Sequence, residues 1–253
     1  MCKTVLGLLA VCCLLVVNTE TQGEPAGWWK FDEGSGTVAS DSSGFGYDGT
    51  LNNMDGNSWC EGVMGKALYF DGVDDYVTVP PFALAGTNTF TITAWIKCKG
   101  AQGVYTGIVW SRDKSSGAGT GICFGSTGEP YFEVNQELAY CWNEEYWRWR
   151  SGLIVPTDEW VFVAVAVEAN RATLYLGQKG TLSSATNEAE HRVIEKFDGA
   201  SMIGYDRYEP PNSNYLIRHH DSFRGMIDDV RVYDHSLDGD KIKTIYMAPT
   251  KRG

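Results

Sequence analysis

The sequence predicts an all-β sandwich. Three observations carry this. Short runs of period-two alternation recur along the chain, separated by Gly-, Asp- and Ser-rich turns. No strand-helix-strand alternation occurs that would signal a parallel sheet. Only one stretch, Ser236 to Met247 near the C-terminus, has helical periodicity.

Taken in order, Trp28 to Asp32 reads as the first strand, turned by Glu33-Gly34-Ser35-Gly36. Leu68 and Phe70 share one face of a strand, Val77 and Val79 one face of the next, with Tyr76 and Thr78 on the other. Asp71-Gly72 is the turn between them, because glycine accepts positive φ and aspartate bonds its own backbone. Pro80-Pro81 ends the second strand. Phe90, Ile92, Ala94 and Ile96 alternate with Thr91, Thr93, Trp95 and Lys97. Gly107 to Trp110, Gly121 to Phe124 and Tyr131 to Val134 are weaker strands. Trp160 to Val167 is apolar on both faces, which predicts a strand covered on both sides. It turns at Ala169-Asn170-Arg171 into a hairpin partner over Ala172 to Leu176. Gly177 to Asn187 reads as a polar loop. Phe223 to Asp234 holds the last strand, and Ser236 is the expected cap of the helix.

The first 23 residues have the pattern of a secretory signal peptide. Lys3 precedes a 13-residue apolar run, Val5 to Val17, and a polar segment ends at Gly23. The run is shorter than the about 20 residues a membrane span needs, and no later stretch supplies one. The remaining 24–253 is expected to be one secreted domain. Its net charge of −11 disfavours nucleic acid, whose binding depends on neutralising phosphates. Cys60, Cys98, Cys123 and Cys141 remain after the signal. In an exported chain they suggest two disulfides with three possible connectivities, Cys123–Cys141 with Cys60–Cys98 being the first choice. Four buried thiols are the alternative.

Trp29-Lys30-Phe31-Asp32-Glu33-Gly34-Ser35-Gly36, Asp41-Ser42-Ser43-Gly44 and Gly49-Thr50-Leu51 resemble the opening of LamG-like jelly-roll domains, the laminin-G/concanavalin A-like lectin and glucanase group. Gly65 to Val77 resembles their central signature. Phe90 to Ile96 and Gly225 to Asp234 are similar to two later strands. The likeness runs from about Gly27 to Met247. It implies a jelly-roll of two antiparallel sheets, but not a function, because this fold hosts lectins, adhesion modules and glycosidases alike.

Four groups of residues carry candidate chemistry. Asp228 has the parity of Val230 and Val232, so it is expected to point inward, where a carboxylate needs a partner. Related glycanases hold calcium between first and last strands, so the resemblance implies a structural Ca²⁺ on Asp228 with Asp32 or Glu33. The alternative is that Asp228 only accepts backbone amides. Asp71, Asp74 and Asp75 form a second acidic group, expected to be a turn residue and two exposed neighbours. Tyr140 to Arg150 is the densest aromatic stretch. Trp142, Trp147, Arg148 and Trp149 are the candidate sugar-binding residues, since flat rings cover sugar faces and Arg reaches hydroxyls. The alternative is tryptophans packed under a loop with Arg stacked on them. Glu133-Val134-Asn135-Gln136-Glu137 is similar to the Glu-x-Asp-x-Glu strand of laminarinase-like enzymes. Asn135 replaces the middle acid, however, and Gln136 stands where that strand should be apolar.

The expected function is non-catalytic binding of a polysaccharide or glycoconjugate, outside the cell or in its envelope. An adhesion module binding an extracellular protein is the second reading, and a laminarinase-like glycosidase the third.

Overall fold

The computed structural model describes residues 23–81, 88–103, 106–112, 119–125, 136–142, 151–188, 199, 201–207 and 220–249. In chain order the strands are β1 (Gly27–Trp29), β2 (Val38–Ala39), β3 (Gly49–Asn52), β4 (Trp59–Glu61), β5 (Lys66–Asp71), β6 (Tyr76–Val79), β7 (Phe90–Cys98), β8 (Gly107–Arg112), β9 (Gly119–Phe124), β10 (Leu138–Trp142), β11 (Val161–Glu168), β12 (Arg171–Gln178), β13 (Thr181–Asn187), β14 (Ser201–Ile203), β15 (Tyr205–Arg207), β16 (His220–Ser222) and β17 (Arg224–Tyr233). One helix, α1 (Gly239–Met247), follows.

Two antiparallel sheets make the sandwich. The first, sheet A, runs β13-β12-β11-β7-β17-β5-β4, with β1 also paired to β17. The second, sheet B, runs β10-β9-β8-β14-β6-β3-β2. The main core lies between them and includes Phe31, Leu68, Phe70, Val77, Ile92, Ile96, Phe223, Val230 and Val232. The outer face of sheet A carries a second apolar layer, where Trp95, Phe162 and Tyr233 pack under Ile242, Ile245 and Tyr246 of α1. This double cover explains the continuous apolar run of β11, which is buried from Val161 to Val167.

The strands read from alternation are present, with informative departures. The Asp71-Gly72 turn joins strands of opposite sheets: β5 lies in sheet A and β6 in sheet B. Gly72 takes φ +81, and Asp71 Oδ1 accepts the Val73 amide at 2.7 Å. The stretch read as a loop over Gly177 to Asn187 contains a full edge strand, β13, paired residue for residue with β12. The helix begins later than expected. Asp238, not Ser236, is its cap, accepting the Lys241 amide at 2.7 Å. The strand expected over Tyr131 to Val134 lies outside the described residues, as do residues 1–22, where the signal peptide falls.

Asp41 organises the loop after β1. Its carboxylate accepts the amides of Trp28, Ser43 and Tyr47 and the Ser43 hydroxyl. Burial opposes its ionisation, but these bonds prevail and hold its pKa below the usual value.

Candidate functional site

Strand β17 lies at the centre of sheet A and changes partner along its length. On one side it pairs with β7 throughout. On the other it pairs with β5 over Arg224 to Ile227, then with β1 over Val230 to Val232. At the seam the register with β7 shifts between Asp228 and Arg231, and Asp229 has φ +48. This bulge corrects the expected direction of Asp228. Parity counted back from Val230 and Val232 puts it inward, but the extra residue puts it on the outer face, opposite Trp95. It is still fully buried.

Asp228 Oδ2 accepts the amides of Val63 (2.7 Å) and Met64 (3.2 Å), the contacts of the alternative reading. Its other oxygen, Oδ1, is buried and has no hydrogen-bond partner among the described residues. Burial pushes the Asp228 pKa up to about 7. The two amides oppose this, and the charges of Asp229 and Asp32 add to it. Asp32 Oδ1 takes the Lys66 amide of the same turn at 2.9 Å. Two glycines make room for these contacts. A Cβ on Gly62 would sit 2.5 Å from Asp228 Oδ2, and one on Gly65, at φ +71, would sit 2.1 Å from Asp32 Oδ1.

Glu33 departs from its expected place. Phe31 takes φ +56 and β1 ends at Trp29, so strand parity does not carry through to Glu33. Glu33 is exposed, and its Oε1 accepts the Ser40 amide. Asp32, Glu33 and Asp228 do not gather as a three-carboxylate cluster. Among the described residues, the cluster whose ligand atoms all lie within 4.8 Å of one another is Asp71, Asp74 and Asp75. In that cluster Asp75 is buried rather than exposed as expected. Its Oδ2 accepts the Asp71 amide, and burial, followed by the nearby charges of Asp71, Asp74 and Asp55, raises its pKa to about 6.

Beside the seam, Asp229 is also buried and bridges two side chains. Its Oδ1 accepts Trp28 Nε1 at 2.6 Å, and its carboxylate pairs with Arg231 at 2.8 Å. Arg231 lies 4.4 Å from the Trp28 ring centre and Lys30 4.2 Å from it. No reading of the sequence singled out this group. Its one legible sign was Trp28 and Arg231 at opposite ends of the chain, on strands expected to be neighbours.

Sheet B presents its outer face through Thr50, Thr78 and Met202, which lie side by side across β3, β6 and β14. Asn52 Nδ2 bonds Thr78 Oγ1 at 2.9 Å, and Tyr76 stacks on Tyr205 at 5.2 Å. Further along the same face, Trp110, Cys123 and Ala139 form a small buried cluster. The edge strand here is β10, paired to β9. After Trp142 the chain leaves β10. It is back beside the start of that strand at Ser151, whose hydroxyl donates to the Leu138 carbonyl, and Leu138 donates to Leu153. Trp147, Arg148 and Trp149 fall between these two points of the chain, outside the described residues, and only the backbone of Trp142 is described. Glu133 is likewise outside them. Glu137 is buried, and its Oε1 accepts the Gly152 amide at 2.7 Å.

The cysteines follow the expected scheme only in part. Cys123 is disulfide-bonded, and the side chain of Cys141 lies outside the described residues. Cys60 and Cys98 are free thiols, against the expected pairing. They sit on β4 and β7, with β5 and β17 between. Three strand spacings of about 4.8 Å put them roughly 14 Å apart, beyond the reach of a disulfide. Burial raises both thiol pKa values, that of Cys98 to about 12.

A two-sheet antiparallel sandwich closed by its last strand defines a jelly-roll of the lectin and glucanase type. The model of the concanavalin A-like lectin/glucanases superfamily matches residues 71–243, more than half of the chain, and the protein belongs to that superfamily. No curated protein matches it in sequence. Among solved structures, the chain is similar to domain 4 of AbnA, a GH43 extracellular arabinanase from Geobacillus stearothermophilus, in complex with arabinotriose. The TM-score is 0.61 at 19% identity, covering 88% of this chain and 98% of that one. It is also similar to Trypanosoma rangeli sialidase in complex with 2,3-difluorosialic acid, with TM-score 0.59 at 14% identity. That match covers 89% of this chain and 33% of the sialidase. A third is the receptor binding domain of botulinum neurotoxin C/D mosaic serotype, with TM-score 0.54 at 14% identity, covering 88% of this chain and 51% of that one. At these identities the likeness concerns the fold. Among the described residues no helix is long and apolar enough to cross a membrane.

Proposed function

We propose that this protein is a secreted, non-catalytic carbohydrate-binding module. The observation that carries the reading is that β10, at the edge of sheet B, ends at Trp142 and the chain is again beside its start at Ser151 and Leu153, and the sequence between these points contains Trp147, Arg148 and Trp149. By residue type, Trp142, Trp147, Arg148 and Trp149 combine aromatic rings with a guanidinium group, the pair of chemistries that sugar rings and hydroxyls require. The similarity to an arabinanase domain carrying arabinotriose supports the same ligand class. The burial of Glu137 and its bond to Gly152 argue against its use as a free acid or base.

The superfamily also implies a calcium ion. The residues fit one at Asp228. Its Oδ1 is buried and unpartnered, a second carboxylate (Asp32) lies close, and the donors are oxygens. Asp228 and Asp32 would hold the ion; Glu33, engaged with Ser40, would not. A cation there would neutralise buried negative charge and fasten the turn after β4 to β17.

Affinity electrophoresis of the protein against a polysaccharide panel that includes arabinan tests the reading. Retardation by a glycan, lost in Trp147→Ala, is the expected result. Absence of retardation on every glycan would overturn it and favour the protein-binding alternative. Release of reducing ends, abolished by Glu133→Gln, would favour the glycosidase.

A further inference from the structure

The helix α1 covers the outer face of sheet A over Trp95 and Phe162. Beside the start of the helix that face lies open. A trough of about 970 Å³ lies there, between β12, β13 and Gly239. This is near the upper end of the about 300–1,000 Å³ of small-ligand sites. The sequence makes the hollow. Tyr175 of β12 stands beside Ser184 of β13, and Thr173 beside Thr186. Their neighbours on β11 are Ala164 and Ala166, too short to fill the space above the sheet. The helix enters with Gly239, where an added Cβ would come within 3.6 Å of Tyr175 Oη.

The charges at the rim are already engaged. Glu168 pairs with Arg171 at 2.8 Å, Asp238 accepts the Lys241 amide, and His235 Nδ1 lies 2.8 Å from Asp234. The groups left with bonding capacity are hydroxyls. Those of Tyr175 and Ser184 have no hydrogen-bond partner among the described residues. Those of Thr173 and Thr186 bond each other at 3.0 Å, and each keeps a further lone pair. Burial raises the Tyr175 pKa and the Glu168 charge adds to this, so the phenol stays protonated and can donate as well as accept. An ion would find no free counter-charge here. A neutral polyol meets hydroxyls of Tyr175, Ser184, Thr173 and Thr186, all lining one trough, together with an aromatic ring.

We propose that this trough binds a neutral oligosaccharide, as a second sugar site on the helix-bearing face of the sandwich. It uses none of Trp142, Trp147, Arg148 and Trp149, so it stands or falls apart from the site proposed above.

Titration of the nitrogen-15-labelled protein with arabinotriose, cellotriose, maltotriose and mannotriose, followed by amide chemical shifts, tests the proposal. The expected result is saturable shifts at Thr173 to Tyr175, Ser184 to Thr186 and Leu237 to Gly239 with at least one of these sugars, kept in Trp147→Ala. Ser184→Trp, which fills the trough from an exposed position, should abolish them. Tyr175→Phe keeps the ring and removes only the hydroxyl, and should weaken binding about 2- to 10-fold, the worth of one neutral hydrogen bond. Both variants should match the parent in far-UV circular dichroism. No shift at these amides with any of the sugars at millimolar concentration, or shifts indifferent to both substitutions, overturns the proposal. Shifts confined to β10 and the residues after it would also overturn it, while supporting the other site.

Discussion

Asp32 and Asp228, from opposite ends of the chain, hold the same turn. Asp228 Oδ2 takes the amides of Val63 and Met64, and Asp32 Oδ1 takes that of Lys66. The two carboxylates therefore stand near each other in a site where one of them is fully buried. A proton or a cation there would offset the cost of the buried charge.

The balance can be read in unfolding experiments. The folded pKa of Asp228 is raised from 3.8 to about 7. Its contribution to stability is therefore fully present below the unfolded pKa and is lost as pH rises through about 7. A bound cation replaces the proton, so added CaCl₂ should raise the thermal midpoint at pH 8 and have little effect at pH 5. Asp228→Asn should abolish the calcium response while leaving a partner for the Val63 amide. Identical unfolding in EDTA and in CaCl₂ at both pH values would rule the site out.

Asp75 titrates with the same sign through a different window. Burial and three neighbouring aspartates raise its folded pKa from 3.8 to about 6. Its contribution is present below the unfolded pKa and is lost as pH rises through about 6. Asn can still accept the Asp71 amide without the charge. Asp75→Asn should therefore stabilise the protein at pH 8, by about 1–2 kcal/mol, with the gain shrinking towards pH 4. Urea titrations at the two pH values check this. A loss of stability at pH 8 would mean that the carboxylate is ionised and bound to something there.

Asp229 and Arg231 form a buried pair whose members depend on each other. Arg231→Ala should cost about 3–5 kcal/mol, because it leaves the Asp229 carboxylate buried with only Trp28 as a donor. Asp229→Asn in the same background should recover part of that loss. A double-mutant cycle by chemical denaturation measures the coupling. Strictly additive losses would show that the pair does not act as a unit.

Legibility in the sequence tracked burial. β7, β11 and β17 were plain because alternating or continuous apolar residues meet a core on one or both faces. β13 was missed for the opposite reason: Thr181 to Asn187 is mostly exposed, so hydrophobic patterning had nothing to act on. The acid in the last strand was found, but its direction was wrong. The bulge rests on Asp229 in a left-handed conformation, and an aspartate announces such a kink far less clearly than a glycine would. Glu33 failed similarly, because the reversal at Phe31 cut the alternation short. The helix cap moved from Ser236 to Asp238 because the buried Leu237 must first reach the apolar layer under α1.

The placement of β17 also governs the order in which the protein can be built. Every strand from β1 to β13 leaves the ribosome before β17, yet β17 occupies the slot between β7 and β5 and supplies the partner of β1. Until residues 224–233 emerge, sheet A exists at most as two fragments with facing open edges, and the apolar side chains of β5 and β7 have no strand between them. Assembly must wait for the C-terminus, and the waiting chain is prone to wrong pairing. Truncation ahead of Arg224 should leave a chain that cannot close, whereas loss of the few residues after Met247 should be tolerated.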